Sequence, residues 1–307
     1  MLKSLYSGVS GMKGFQTKLD VIGNNIANVN TVGFKKSRVM FSDIINQNIS
    51  GATAPTSTSG GINPKQVGLG TKIASIDTIH TPGSPMTTNV GTDLAIDGDA
   101  YFVVSPTADS TTNKVSGGNY LTKAGNFTLD SNGNLVNSSG YFVQGITGPS
   151  SNQQPVKINI TNNATDSNAK ISSFSIDNNG YINAVDANGT SGKLAYNSTN
   201  NSYYIDTTGA SSDDISLATA VVANPEGMQK IGNTMFTTTG NSGKATPDRI
   251  QNNSGGTINA GELEMSNVDL TEEFTEMIVA QRGFQANART ITTSDSILQE
   301  VVDLKRQ

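Results

Sequence analysis

Apolar residues recur at helical spacing near the N-terminus of the chain. Each step along this stripe is three or four residues, the spacing that brings side chains to one face of an α-helix. Gln16 and Gly23 occupy two positions at which the stripe lacks an apolar residue. The pattern predicts a helix within residues 1–32. Its apolar positions are Leu2, Leu5, Val9, Met12, Leu19 and Ile26, with Phe15, Ile22 and Val29 on an adjacent line.

A second helical pattern lies in the C-terminal segment, residues 261–307. Asp269 is a favourable N-cap, and Glu272 three residues later completes the sequence signature of a capping box. Asp295 interrupts the stripe that follows. The predicted stripe contains Met277, Gln281, Phe284, Ala288, Ile291, Leu298 and Val302, flanked by Ile278, Val301 and Leu304.

Between the two helical segments, residues 70–260 show the alternation and frequent turn residues that are typical of β-strands. An internal repeat links residues 127–135 with residues 174–182, since both contain Asp, then Asn-Gly, between short apolar stretches. Asn-Gly favours the left-handed conformation that closes tight hairpins. We therefore predict two equivalent hairpins, with their turns at Asn132-Gly133 and Asn179-Gly180.

The remaining segments complete the predicted organisation. Residues 33–69 are expected to form an extended, flexible linker, because residues 51–61 are rich in Gly, Ser and Thr. Residues 188–213 are expected to be a small loop or hairpin insertion in the β-rich domain. The predicted fold is mainly β in the centre, with α-helical terminal segments that pair in a coiled-coil-like layer.

Composition narrows the function. Charged residues make up 15% of the 307 residues, the net charge is -5, and Cys is absent. Disulfides and thiolate chemistry are therefore excluded, and nucleic-acid binding is disfavoured because it usually needs a basic surface. The first 20 residues lack the continuous apolar stretch of a signal peptide, so we expect either a cytosolic protein or export without a cleaved signal.

The N-terminal helix carries an unusual number of glycines. Gly8, Gly11, Gly14 and Gly23 lie inside it, and each costs about 1 kcal/mol relative to Ala. Such small residues are favourable where another element must approach closely. We expect the two terminal helices to pair with each other, with copies in neighbouring chains, or both. We also predict that the ends are largely disordered in the free monomer, which protease resistance before residue 30 and after residue 270 would contradict.

Several long motifs resemble those of the flagellar rod and hook protein family. The N-terminal motifs are Leu19-Asp-Val-Ile-Gly-Asn-Asn-Ile-Ala-Asn28 and Thr31-Val-Gly-Phe-Lys35. Those at the C-terminus are Glu264-Met-Ser-Asn-Val-Asp-Leu270 and Met277-Ile-Val-Ala-Gln-Arg-Gly-Phe-Gln285, and Asp93-Leu-Ala-Ile-Asp-Gly98 and Leu121-Thr-Lys-Ala-Gly-Asn-Phe127 lie between them. The residues carried over as the family signature are Asp20, Gly23, Asn24, Asn25, Asn28, Gly33, Phe34, Asn267, Gln281 and Arg282.

This resemblance implies a structural subunit rather than an enzyme. The C-terminal motifs resemble hook protein more than distal rod protein, so it implies a compact hook of the Gram-positive type, with distal rod protein as the alternative. A hook is a flexible tube that transmits motor torque, exported uncleaved through the type III channel. The implied partners are further copies of the chain, the rod, the hook cap, the hook-filament junction proteins and the export apparatus. Terminal helices would line the tube, with the polar β domain outside.

The candidate polymerisation interface combines this implied role with the two apolar stripes. We expect contacts within the chain, between chains, or both. The residues are Leu5, Val9, Met12, Leu19, Ile22, Ile26, Met277, Phe284, Ile291 and Leu298.

Other candidate sites are weaker. His80 is the single His, so no His-based triad can be assembled, and we expect it to be a surface or turn residue. Lys35, Lys36 and Arg38 are expected to form a solvated basic linker. The Asp-rich turns lack the Gly and Glu of a calcium loop, so no metal, cofactor or catalytic site is predicted. An Asn-rich adhesin or glycan-binding protein is the alternative from another class.

Overall fold

The computed structural model describes residues 2–56, 60–109, 113–115, 118–149, 153–160, 171–198, 201–207 and 213–306. The chain divides into two compact units. The first unit comprises Met1–Val29, Lys36–Ile79 and Val268–Gln307, and the second comprises Asn30–Lys35 and His80–Asn267. The chain therefore passes between the units four times after the N-terminal helix.

The fold is mainly β, with one long helix near each end, as the sequence predicts. In chain order the elements are α1 (Leu2–Ala27), β1 (Ser37–Asp43), β2 (Asn46–Ser50), β3 (Lys65–Gly68), β4 (Thr71–Thr78), β5 (Pro85–Thr87), β6 (Leu94–Asp97), β7 (Tyr101–Ser105), β8 (Tyr120–Thr122), β9 (Thr128–Leu129), β10 (Leu135–Val136), β11 (Phe142–Thr147), β12 (Gln154–Lys157), β13 (Ile171–Ile176), β14 (Ile182–Asp186), β15 (Ser191–Asn197), β16 (Ser202–Asp206), β17 (Ser216–Ala220), β18 (Gln229–Gly232), β19 (Met235–Thr237), β20 (Asp248–Arg249), α2 (Ile250–Asn253), β21 (Thr257–Ala260), β22 (Glu262–Glu264) and α3 (Leu270–Arg306).

The first unit contains α1, α3 and two antiparallel strand pairs. Strand β1 pairs with β4, and β2 pairs with β3. These strands lie largely in the segment that the sequence analysis treats as a linker, so the structure differs from that expectation. Strands β2 and β3 are exposed throughout and lack a buried face, and the sequence consequently shows no alternation there that would have revealed them.

The second unit contains a ten-stranded sheet in which all described pairings are antiparallel. Strand β7 is buried along its whole length and pairs with β8, β11 and β17. Its Phe102 packs edge-to-face on Phe127, with ring centroids 5.2 Å apart. A continuous apolar core surrounds this pair, and it is built largely from the short apolar stretches between turns.

A smaller four-stranded sheet, ordered β13-β14-β15-β16, also belongs to the second unit. The predicted insertion at residues 188–213 contributes β15 and β16, a hairpin of this sheet. Residues 199–200 and 208–212 of that prediction lie outside the described residues.

The repeated Asn-Gly turns close hairpins between β9 and β10 and between β13 and β14, as predicted. Their conformation differs from the expected left-handed Asn-Gly pair, because only Gly133 and Gly180 have positive φ angles, 77° and 79°. Each Gly donates its N–H to an Asp carbonyl three residues earlier, at 2.9 Å from Gly133 and 2.7 Å from Gly180. This is a type I turn followed by a left-handed glycine, which forms a bulge.

Candidate assembly surface and signature clusters

The two long helices lie side by side and antiparallel within the first unit. Glycines on both helices face the partner at short distance. A Cβ atom on Gly11 would lie 2.9 Å from Asn287 Nδ2, and one on Gly283 would lie 2.6 Å from the ring of Phe15. The expectation that glycines permit close approach is therefore met at this contact.

The other glycines of α1 divide into two groups. A Cβ on Gly8 would lie 3.1 Å from Thr290 Oγ1 of α3, and one on Gly14 would lie 2.8 Å from the ring of Phe41 in β1. Gly14 therefore makes room for a strand rather than a helix. Gly23 has no atom within 4 Å of the position its Cβ would take, so nothing within the chain requires glycine there.

The predicted interface residues occupy intermediate positions in this helix pair. Ile22 is buried, with 4% of its surface exposed, whereas Phe284 is 36% exposed. The remaining members are half-buried: Leu5, Val9, Met12, Leu19, Ile26, Met277, Ile291 and Leu298. Among these residues, Ile291 lies 3.3 Å from the position a Cβ on Gly8 would take, so it faces α1. The half-buried members keep part of their surface accessible.

A separate set of apolar side chains on α3 is more exposed than the predicted stripe. Phe274 and Ile278 lie one turn apart and are 50% and 59% exposed. Ile278 was predicted to flank the stripe, whereas Phe274 was not among the predicted apolar positions. The larger set is Leu270, Phe274, Ile278, Val279, Ile297, Val301 and Leu304, and Val302 of the predicted stripe is exposed to a similar extent.

The signature residue Asn25 connects three elements of the first unit. Its side-chain amide donates to Ser37 O at 2.9 Å and accepts from Ser37 N at 3.0 Å, so it pairs with β1 as a neighbouring strand would. It also donates to Glu273 Oε1 of α3 at 3.1 Å. Burial raises the pKa of Glu273, and the Asn25 bond opposes that rise. An amide suits this position because it can both donate and accept.

The start of α3 is capped by Asp269, as predicted. Its Oδ1 accepts hydrogen bonds from Thr271 N at 2.8 Å and Glu272 N at 3.4 Å. These backbone donors lower the pKa of Asp269. The carboxylate of Glu272 accepts from Lys36 Nζ at 2.7 Å, so the second residue of the predicted capping box pairs with the residue just before β1.

A second signature cluster lies in the second unit. Gly33 is buried with φ 68°, and a Cβ there would lie 2.5 Å from Ala124 N, so both its conformation and its surroundings require glycine. Phe34 O accepts from Asn267 N at 3.4 Å, and the Asn267 amide donates to Thr81 O at 3.2 Å. These bonds join the N-terminal and C-terminal motifs.

The prediction of a solvated basic linker is wrong for Lys35. Its side chain is fully buried and donates to Glu264 Oε1 at 2.6 Å and to Thr81 O at 2.8 Å. Lys123, also buried, lies 3.7 Å from Glu264 Oε2 and donates to Gly98 O at 2.6 Å. Burial lowers the pKa of Lys123, and Glu264 opposes this. Lys36 and Arg38 are likewise paired, with Glu272 and Asp77.

His80 is expected to be a surface or turn residue, and it lies half-buried in the irregular segment between β4 and β5. Its Nδ1 lies 2.8 Å from the hydroxyl of Tyr101, and its ring packs 5.3 Å from that of Phe236. Burial, assisted by the charges of Lys35, Lys230 and Lys123, lowers the pKa of His80 to about 4. His80 is therefore neutral near pH 7.

The other signature residues are on the surface of the first unit. Asn28 is half-buried, and its side-chain amide donates to Asn24 O at 2.9 Å. Its backbone N–H donates to the same carbonyl at 3.2 Å, so the helical hydrogen bonding extends beyond Ala27. Arg282 Nη1 donates to Gln285 Oε1 at 3.4 Å. The exposed members are Asp20, Gly23, Asn24, Gln281 and Arg282.

The described residues show no group of three or more His, Asp or Glu side chains placed to hold a metal ion. Within the same residues, no helix has the length and apolar character that crossing a membrane requires.

Comparison with known proteins identifies the family. Three family models match, described as "Flagella basal body rod protein" over residues 5–35, "Flagellar hook protein FlgE/F/G D1 domain" over residues 95–184 and "Flagellar basal body rod FlgEFG protein C-terminal" over residues 259–304. A relative from Bacillus subtilis, the flagellar basal-body rod protein FlgG, is 48% identical over 307 residues and is covered completely, as is this chain. The chain belongs to the flagellar rod and hook protein family.

Two further members of the family show how the chain relates to its branches. The FlgG rod protein of Borreliella burgdorferi is 34% identical, with both chains fully covered over 314 aligned residues. The hook protein FlgE of the same organism is 33% identical over 450 residues, covering 99% of this chain and all of the hook protein. The longer alignment means that the hook protein carries insertions relative to this chain.

Proposed function

We propose that this flagellar protein is a distal rod subunit of the basal body and assembles into a helical homopolymer. The observation that carries this proposal is the alignment with the Bacillus subtilis rod protein, which spans both chains over 307 residues at 48% identity. The sequence analysis favoured the hook and held the rod as its alternative. The comparisons support that alternative better, because the aligned hook protein is longer than this chain.

The hook is the second candidate, because the Borreliella hook protein aligns with 99% of this chain. Electron microscopy of basal bodies from cells lacking the protein separates the two. A distal rod subunit predicts a shortened rod without a hook. Retention of the complete rod with loss of only the curved segment would establish the hook role instead.

We propose that copies of the chain bind one another through α3 and the paired α1. The α1–α3 contact supplies a coiled-coil-like layer, and the predicted stripe residues support it from within the chain. The exposed apolar side chains of α3, such as Phe274 and Ile278, suit contacts with neighbouring copies, because they remain accessible after the helices have paired. A head-to-tail contact of this kind that does not close generates a filament.

An assembly assay with matched variants tests this surface. Ile278→Asp removes an exposed apolar contact, and Ser296→Asp introduces the same charge at an exposed polar position of α3. We expect Ile278→Asp to abolish rod assembly in cells at normal protein levels, and Ser296→Asp to assemble normally. Normal assembly by Ile278→Asp and by Phe284→Asp together would exclude α3 as the contact surface.

The remaining functional proposals follow from the rod assignment. We propose a purely structural role, with neighbouring rod and hook components as partners and with export through the flagellar type III apparatus without cleavage. The hook cap and hook-filament junction proteins are partners only under the hook alternative. Mass spectrometry of the protein from isolated basal bodies tests export without cleavage, since an intact N-terminal peptide is expected and a truncated one would contradict it.

A further inference from the structure

Three Asn-Gly pairs lie in turns of the same type within the second unit. They are Asn132-Gly133, Asn179-Gly180 and Asn188-Gly189. In each turn the Gly N–H donates to an Asp carbonyl three residues earlier, and the distances are 2.9, 2.7 and 2.9 Å respectively. The three glycines have φ angles of 77°, 79° and 84°. The local geometry of the three pairs is therefore closely matched.

Asn-Gly is chemically labile because glycine has no Cβ to obstruct its own nitrogen. That nitrogen can attack the Asn side-chain carbonyl carbon, forming a new N–Cγ bond while the Cγ–Nδ2 bond breaks and ammonia leaves with the proton from the Gly nitrogen. Water then opens the resulting cyclic imide to aspartate or isoaspartate. In these turns the Gly N–H is held in a hydrogen bond, so each turn must open before the nitrogen can attack.

Two of the turns accept hydrogen bonds from residues distant in the sequence, in addition to the hydrogen bonds within the turn. Gly133 O accepts from Ile160 N at 2.8 Å, and Asn132 O accepts from Asn159 Nδ2 at 2.8 Å. The turn that contains Asn179 is held in the same way. Gly180 O accepts from Leu217 N at 2.8 Å, and Asn178 O accepts from Ile258 N at 3.0 Å. Opening either turn breaks these tertiary bonds too.

The turn between β14 and β15 has only its own bonds. Asp186 N donates to Thr190 O at 2.9 Å, and Asp186 Oδ1 accepts from Ala187 N at 2.7 Å. Gly189 is exposed and has no atom within 4 Å of the position a Cβ would take. Among the described residues, no backbone hydrogen bond joins Ala187, Asn188 or Gly189 to another element.

We propose that Asn188 is a site of spontaneous deamidation in the folded protein, and that tertiary bonds protect Asn132 and Asn179. Conversion adds a negative charge close to buried Asp186 and, in the isoaspartate product, lengthens the backbone of the turn by one carbon. Both changes alter the hairpin of β14 and β15. In a subunit that stays in a finished assembly, modified turns would accumulate with age on the four-stranded sheet.

Incubation of the purified full-length protein at mildly alkaline pH tests the proposal. Peptide mass spectrometry follows the conversion of all three Asn residues with time, and chromatography separates aspartate from isoaspartate. We expect Asn188 to convert at least about tenfold faster than Asn132 or Asn179 in the folded protein, since each tertiary hydrogen bond that must open first contributes up to about tenfold. In guanidinium-unfolded protein the three sites should convert at similar rates.

Two variants make the test specific. Asn188→Ser should abolish the early product and leave the other two rates unchanged. Asn159→Ala removes the side-chain bond to Asn132 O and should accelerate conversion at Asn132 alone. Equal rates at the three sites in the folded protein, or earlier conversion at Asn132 or Asn179, would overturn the proposal.

Discussion

The two units of this chain differ in how far their apolar side chains are buried. In the second unit they are buried in continuous clusters, and only Met86, Val90, Leu129 and Ile231 are large, apolar and exposed among the described residues. In the first unit, the buried apolar residues among those described are Ile22, Val39 and Ala280. All remaining large apolar side chains that are exposed in the described residues belong to this unit.

The two units therefore differ in how much their stability can depend on apolar burial within the chain. Burial contributes about 25 cal/mol per Å² of apolar surface, so the buried clusters are the main source of stability in the second unit. The first unit leaves much of its apolar surface exposed, as the proposed contacts between copies would require. Disorder of the free ends stays a prediction, and the contrast supplies its physical reason. A test can separate the units, because Tyr6 is the only one of the 8 tyrosines in the first unit.

The largest expected effect comes from the buried charge cluster of the second unit. Lys35→Met leaves Glu264 buried without its closest cation and should reduce the free energy of unfolding by about 3–5 kcal/mol. Tyrosine fluorescence during urea denaturation reports this unit, and the helical circular dichroism signal reports the first unit. Lys36→Met is the matched control in the first unit, where a more exposed ion pair contributes at most about 1 kcal/mol. Equal losses from the two variants would contradict the contrast between buried and exposed lysines.

The helix pair of the first unit predicts opposite effects at two glycines. Gly283→Ala places a methyl group 2.6 Å from the ring of Phe15 and should destabilise the pair by about 1–3 kcal/mol. Gly23→Ala meets open space and should stabilise α1 by about 0.5–1 kcal/mol. The helical circular dichroism signal during denaturation measures both. Stabilisation by Gly283→Ala would show that the helices do not approach closely in solution.

Acid should weaken the second unit through His80. The folded-state pKa of His80 is about 4, below its usual 6.5, so the unfolded chain binds a proton in this interval that the folded chain does not. Stability therefore falls as the pH drops from 6.5 towards 4, by about 1–2 kcal/mol after allowing for partial solvent screening. The difference between the wild-type and His80→Gln unfolding free energies isolates this contribution. A difference that is independent of pH would exclude it.

The smallest expected change in monomer stability is on the exposed face of α3. Phe274→Ser removes a half-exposed side chain and should alter the unfolding free energy by less than about 0.5 kcal/mol, because surface substitutions rarely do more. The same variant should assemble poorly if this face binds neighbouring copies. Sedimentation of concentrated protein measures assembly, and a large loss of monomer stability would instead place Phe274 in the fold of the first unit.

Elements that are specified by residues close together in the sequence could be predicted. Both long helices follow from apolar spacing, Asp269 follows from capping chemistry, and the turns at Gly133 and Gly180 follow from their residue types. The coiled-coil-like character of the helix pairing and the domain boundaries remain predictions. Strands β2 and β3 of the first unit were not predicted, because strands that are exposed throughout show no alternation of apolar and polar residues.

Long-range pairing explains the wrong prediction for Lys35. A lysine next to other basic residues is usually solvated, and the partner that buries Lys35 is Glu264, 229 positions later. Nothing in the sequence near Lys35 indicates that distance. His80 is similar, since its environment is made by Tyr101 and Phe236 on separate strands. Lys35 and Glu264 both lie in motifs that resemble the family, but a motif does not indicate which residues are in contact.

The Asn25 amide has a consequence for the order of folding. Its two bonds to Ser37 span 12 positions, whereas its bond to Glu273 spans 248. Contacts between such distant positions form slowly, because loop-closure entropy opposes them until other contacts have shortened the loop. The second unit lies within that loop and shortens it by folding. We therefore expect the bond that joins the N-terminal helix to Glu273 of α3 to form late in folding, once nearly the whole chain is available.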